Sequence, residues 1–251
     1  MEKIRISAVR YANTYPFIFG LTERGFSEKT VLETDHPADC ARKLITDQSD
    51  LGLIPVSAIH LLKEPRIIGD FCIGADGKVR TVQIMSNSPL EKTDRIYLDY
   101  RSRTSVMLIR VLAANFWKRD FRWEDTSEDF DFVLREKNEA VVLIGDQCFE
   151  YEDKYEFKCD LSEEWKRVTG LPFVFACWIS NKQLPDAFIE EFNNALSYGV
   201  KNIDLVVEQF GKSGIIQGEE LRKYLTENID FILDIHKKEG MDLFLELQKK
   251  L

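Results

Sequence analysis

Apolar positions along the chain follow two rhythms. Short runs rich in apolar and β-branched residues alternate with stretches in which apolar positions recur every three or four residues. The runs IRISAV (4–9), TVLETD (30–35), DLGLIPV (50–56), IIGDFCIG (67–74), VRTVQIMS (79–86), RIYLDY (95–100), AVVLIGD (140–146) and FVFACWIS (173–180) predict strands. Helical spacing predicts helices over PADCARKLITDQ (37–48), over SAIHLLKE (57–64) with Ser57 as its cap, and from the RSRTS stretch to about Trp117. DLSEEWKRVTG (160–170) reads as a helix capped by Ser162 and stopped by Gly170, and the chain from Pro185 onward looks helical. Residues 118–131 are polar, with little period, and predict no element.

Alternating strands and helices with continuous apolar strands specify an α/β fold with mostly parallel sheets. TVQIMS and FVFACWIS flank a block that is itself built β-α-β-α. The expected architecture is therefore two-lobed, with an outer discontinuous lobe (1–86 plus 179–251) and an inserted middle lobe (87–178). Two crossings between lobes make a hinge, and the cleft between them is the expected ligand site.

Composition narrows the ligand. With 251 residues, 44% of them hydrophobic, the chain can bury a substantial core. Its formal charge of −9 argues against nucleic acid, which calls for a basic stripe. The five cysteines are scattered, with no C-x-x-C pair, so neither a zinc site nor a disulfide framework is indicated. Free thiols, an N-terminus without a signal-peptide pattern and the lack of a long apolar run lead to the expectation of a cytoplasmic protein that does not enter membranes.

LDYRSRTSVMLIRVL (98–112) passes from strand to helix through two arginines and three hydroxyls. Helix first turns favour acids, and none occurs between Arg101 and Arg110. Either Ser102, Thr104, Ser105 and one of Arg101 and Arg103 hold an anion at the helix N-terminus, or the loop is a plain cap with its arginines solvated or paired to Asp94 or Asp99. YANTYPF (11–17) follows the first strand, where α/β lobes place ligands. Its Asn13 can hold a hydroxyl or carboxylate, or form a local turn. Arg80 and Thr81 start a strand near the hinge and can contact a carboxylate, or serve only as an edge arginine and a β-former. Gly145 and Asp146 end a buried strand. Asp146 can orient a hydroxyl, act as a base or cap a turn, and the last is the commoner job. TGLPF (169–173) offers Thr169 and Gly170 as a close backbone approach or a simple helix stop.

None of His36, His60 and His236 lies in a metal motif; His60 reads as structural, and His36, before a proline at a strand end, can face the cleft. G-x-S-x-G, Walker-type and G-x-G-x-x-G motifs are absent, so serine-nucleophile, nucleotide-phosphate and nicotinamide chemistry are not indicated. The aromatics Trp117, Trp165, Trp178, Phe173 and Phe175 are expected to pack the lobes.

Taken in order, YANTYPF, DLGLIPVSA, LDYRSRTS with its helix, and LIGD followed by DLSEEWKRVTGLPFVFACW resemble the chorismate dehydratase family of the futalosine route to menaquinone. The resemblance weakens after about Lys182 and over 118–138. It implies a type II periplasmic-binding-protein-like fold and conversion of chorismate to 3-[(1-carboxyvinyl)oxy]benzoate and water without a cofactor. It also implies that Asn13 is the polar residue of the first loop and that Ser102, Arg103, Thr104 and Ser105 form the anion loop. Thr81 stands where the family generally has Ser, and Ala12 and Tyr15 replace its usual Leu. Gly145, Asp146, Thr169 and Gly170 match motifs of the family. On this reading Asn13, Thr81 and Asp146 are catalytic candidates, Arg80 joins the substrate contacts, and the base is the substrate's own carboxylate, Asp146 or His36. Competing readings are a small organic-anion binding protein and the sibling 1,4-dihydroxy-6-naphthoate synthase, whose first loop reads S-P-C-P-N-D-T.

Overall fold

Strands β1 (Ile4–Val9), β2 (Thr30–Asp35), β3 (Leu51–Pro55), β4 (Arg66–Ala75), β10 (Phe173–Ser180) and β11 (Asp230–Ile232) form the larger of two sheets, in the order β11-β4-β10-β3-β1-β2. The smaller sheet contains β5 (Val82–Ser86), β6 (Arg95–Leu98), β7 (Arg122–Asp125), β8 (Glu139–Ile144) and β9 (Phe157–Asp160), in the order β7-β6-β8-β5-β9. The computed structural model describes residues 3–134 and 136–251. Helices α1 (Tyr15–Glu23), α2 (Phe26–Lys29), α3 (Pro37–Ile45), α7 (Asp186–Lys201), α8 (Ile203–Phe210), α9 (Gly218–Lys223) and α10 (Ile235–Gln248) accompany the larger sheet in sequence. Helices α4 (Thr104–Leu112), α5 (Gln147–Tyr151) and α6 (Leu161–Thr169) accompany the smaller.

The sheets relocate both lobe crossings. The expected boundaries, after 86 and after 178, put VQIMS with the outer lobe and most of FVFACWIS with the middle one. Instead β5 is central in the smaller sheet, between β8 and β9, and β10 is central in the larger, between β3 and β4. The chain therefore crosses at 76–81 and 170–172. Nor are the sheets mostly parallel. β1 runs parallel to β2 and β3, and β6 to β7 and β8, but β10 and β5 are antiparallel to both their neighbours. Each returning strand enters its sheet from the other lobe and so runs against the local direction. All eight residues of β10 are buried, which is why FVFACWIS carries no polar alternation.

Local chemistry sets the element ends. Asp160, not Ser162, caps α6: its carboxylate accepts from the Ser162 N–H at 3.0 Å and the Glu163 N–H at 3.2 Å. Gly170 ends the helix at φ +75°. The 57–64 segment is a short 3-10 turn (Val56–Leu61) without a side-chain cap, so Ser57 does not cap a helix. Where α1 crosses α7, a Cβ on Gly20 would lie 2.0 Å from the Ala195 carbonyl oxygen, and one on Gly199 would lie 1.7 Å from that of Pro16. Only hydrogen fits there, and the two helices pack backbone to backbone. Phe17 and Phe192 from these helices close on the fully buried Trp178 of β10.

Candidate active site

The cavity lies between the sheets, at the carboxyl ends of β1 and β8 and beyond that of β6. Its walls come from the loop after β1 (Tyr11, Asn13), the crossing before β5 (Val79, Thr81), the turn before α4 (Ser102 to Ser105), Ile144–Gly145 after β8, and Phe175 of β10. It encloses about 530 Å³ of space not filled by atoms, its open mouth included. No carboxylate is among the lining residues.

The loop after β1 is held by protein partners. Ala12, Asn13 and Thr14 form a single buried 3-10 turn. The Ala12 N–H donates to both carboxylate oxygens of Asp146, 3.1 Å each, so the larger lobe is tied to the smaller. The Tyr11 ring lies against Gly145, where a Cβ would come within 2.7 Å of it; Gly145 also sits at φ +68°, a second reason for glycine there. Burial of Asp146 pushes its carboxyl up to about 6, while the Ala12 N–H opposes the shift. Asp146 thus joins the lobes and is not among the wall residues. Asn13 is on the wall, and the Thr14 hydroxyl donates to its Oδ1 at 3.3 Å. Thr81 is 2% exposed, and its hydroxyl lies 2.9 Å from the phenol oxygen of the fully buried Tyr224.

The facing turn is different. α4 starts with Arg103 in the cap position, without a side-chain cap bond and without an acid in its first turn. The Ser105 N–H donates to the Ser102 hydroxyl at 3.2 Å. The Thr104 hydroxyl donates to the Phe175 carbonyl at 3.0 Å and accepts the Ser57 N–H at 3.3 Å, so it joins lobes and is not free for a ligand. The two arginines separate. Arg101 grips the fully buried Asp99 through Nε at 2.8 Å, Nη2 at 2.9 Å and its backbone N–H at 3.1 Å, and Gln147 adds a fourth bond to that carboxylate. Arg103 lines the cavity, is exposed, and makes no ion pair among the described residues. Arg103 is therefore the cation available to a bound anion.

Three expected contacts lie elsewhere. The Arg80 guanidinium pairs with Glu152 at 3.1 Å and Glu220 at 3.5 Å and lies over the Phe149 ring. Its backbone, at φ +64°, turns the Val79 and Arg80 N–H groups onto Asp160. Thr169 closes α6, donating to the Trp165 carbonyl at 2.7 Å and accepting the Leu171 N–H at 3.1 Å; Gly170 is the helix stop. None of the three lines the cavity. His36 has Nδ1 3.4 Å from the Tyr11 hydroxyl and is followed by Pro37 of the wall. Its burial, then the Arg10 and Arg101 charges, lower its pKa and favour the neutral imidazole. His60 contacts Gln248, and His236 lies on the surface beside Glu239. Phe175, expected as packing alone, forms part of the wall. Sequence reasoning missed Tyr224, which no motif marks.

Among the described residues no group of His, Cys, Asp and Glu could hold a metal ion, and no helix is long and apolar enough to cross a membrane.

The profile of a menaquinone biosynthesis family matches residues 4–250. A chorismate dehydratase of Thermus thermophilus is 27% identical over 94% of this chain and 92% of its own length. One from Campylobacter jejuni is 26% identical over 57% of this chain and 65% of its own. Among solved structures, an Archaeoglobus fulgidus protein superposes with a TM-score of 0.77 at 16% identity, over 99% of this chain and 97% of that one. A Candida albicans protein described as having the generic periplasmic binding protein fold gives 0.69 at 11%, over 100% and 91%. The alkanesulfonate-binding protein of Xanthomonas axonopodis, bound to MOPS, gives 0.67 at 12%, over 98% and 93%. The fold is that of periplasmic binding proteins.

Proposed function

The chain belongs to the menaquinone biosynthesis family, and within it we propose that the protein is a chorismate dehydratase, a cofactor-independent hydro-lyase that forms 3-[(1-carboxyvinyl)oxy]benzoate and water. One observation carries the reading: an acid-free helix N-terminus bearing Arg103, which has no ion pair among the described residues, faces Asn13 and Thr81 across an interlobe cavity. Chorismate has two carboxylates and a ring hydroxyl. One carboxylate sits at α4, held by Ser102, Ser105 and Arg103, where backbone N–H groups and the helix dipole favour negative charge. Asn13 and Thr81 hold the ring near its leaving hydroxyl.

The chemistry asks for orientation more than for a strong base. The hydrogen on the carbon bearing the enolpyruvyl ether is acidified through the ring diene by the ring carboxylate. Its loss followed by loss of the neighbouring hydroxyl makes the ring aromatic, so the driving force is internal. With no carboxylate on the wall and Asp146 occupied by Ala12, the substrate's enolpyruvyl carboxylate takes the proton and passes it to the departing hydroxyl as water. The neutral His36 is the alternative base.

The test is direct. Purified protein mixed with chorismate, without added metal or cofactor, gives a product one water lighter by mass. Tight chorismate binding without turnover would instead favour an organic-anion binding protein, the reading to which the alkanesulfonate-binding neighbour points. Chorismate neither bound nor converted would favour the sibling synthase, whose naphthoate product has one carbon more than chorismate and cannot form from it alone.

A further inference from the structure

We infer that Tyr224, buried behind the cavity wall, is a positioning residue that sets the Thr81 hydroxyl as a hydrogen-bond donor to the leaving group; this rests on the dehydratase reading. Tyr224 begins a π-helical turn (Tyr224–Asn228) after α9 and is fully buried. Its ring packs edge-on against Phe149 of the smaller lobe, centroids 5.4 Å apart, and it does not line the cavity. Its hydroxyl meets one side chain that does line it, Thr81 at 2.9 Å.

Counting protons fixes the direction of this chain. Tyr224 has a protein acceptor in Thr81 Oγ1, and Thr81 Oγ1 has one of its own in the Val79 carbonyl. With Thr81 oriented as the donor to Val79, the phenol's single proton goes to Thr81 Oγ1. Thr81 then keeps one proton to donate. Its other protein acceptor, the Val79 carbonyl, is 3.5 Å away, at the limit of a hydrogen bond. So weak a bond gives the proton up to a departing hydroxyl in the cavity, the better acceptor. A buried hydroxyl without such a partner could rotate and present its lone pairs instead, which would oppose the growing negative charge on the leaving oxygen.

The experiment is steady-state kinetics with chorismate on the wild type, Tyr224→Phe, Thr81→Val, Thr81→Ser and the Tyr224→Phe/Thr81→Val double variant. Tyr224→Phe keeps the ring against Phe149. It is expected to lower kcat about tenfold with KM changed less than threefold. Thr81→Val is expected to lose as much, Thr81→Ser to stay within threefold of wild type, and the double variant to lose no more than the worse single. A merely structural Tyr224 would give losses that multiply, or a loss in KM, and either result overturns the proposal. So does wild-type kcat in Tyr224→Phe. Should that variant not fold, wild-type kcat in Thr81→Val overturns the proposal just as directly. A wild type that leaves chorismate unchanged sinks the dehydratase reading itself, whereas an active wild type with an unaffected Tyr224→Phe sinks only this inference.

Discussion

The two loops that face each other across the cavity use their polar groups in opposite ways. On the larger lobe, the 11–14 turn has its groups occupied by protein: Ala12 by Asp146, Tyr11 by His36, Asn13 by Thr14. On the smaller lobe, the 101–105 turn has one arginine fully engaged and one without an ion pair, above a helix start with no acid. A preorganised wall thus faces a wall that lacks its counter-charge. In a protein of net charge −9, such a cationic spot attracts an anion only because it is local and its neighbours are neutral hydroxyls and amides.

The largest effect separates the two arginines. Arg101→Ala strands the fully buried Asp99 carboxylate, and denaturant unfolding should show a loss of about 3–5 kcal/mol; a loss below about 1 kcal/mol would break the assignment of Arg101 to structure. Arg103→Ala should change stability by less than about 0.5 kcal/mol while raising KM for chorismate about tenfold. Next come the two walls. Asn13→Ala and Ser105→Ala should each lower turnover at least tenfold, about 1.4 kcal/mol of barrier, and wild-type rates in both would dismiss the site.

The smallest effect concerns Asp146. Its folded pKa, about 6, lies above the ordinary 3.8, so the folded state holds the proton more tightly than the unfolded one. This group's contribution to stability therefore grows as pH falls from about 6 to about 4, and it is unfavourable when ionised at neutral pH. Asp146→Asn keeps an acceptor for Ala12 without the buried charge. Its melting temperature at pH 7.5 should equal or exceed that of wild type, any advantage should disappear by pH 4, and turnover should persist. Abolished turnover in a folded Asp146→Asn would restore Asp146 as the base.

What could be read from the sequence was what is locally encoded. The apolar runs of β3, β8 and β10 announce strands because burial on both faces removes alternation. β7, β9 and β11 went unseen because they are only three or four residues long and, at sheet edges, carry polar residues. Sheet membership of β5 and β10 is a long-range property that no local pattern holds. The same is true of the site. RSRTS reads as an anion loop from composition, but the choice between Arg101 and Arg103 depends on Asp99 and Gln147, and the latter lies 48 residues away from Asp99. Tyr224 sits in a stretch, KYLTEN, that reads as ordinary amphipathic helix; only its 143-residue contact with Thr81 gives it meaning.

The central place of β10 also orders the protein's assembly during synthesis. β3, β1 and β2 form one block, while β4 pairs only with β10 and β11. All four of those early strands are made within the first 75 residues, yet no sheet pairing joins β4 to the rest until residues 173–180 emerge. By then the whole of the smaller sheet, 82–160, has already left the ribosome. The lobe that begins the chain is completed after the one inserted into it, and the cavity between them exists only once that late strand has been threaded home.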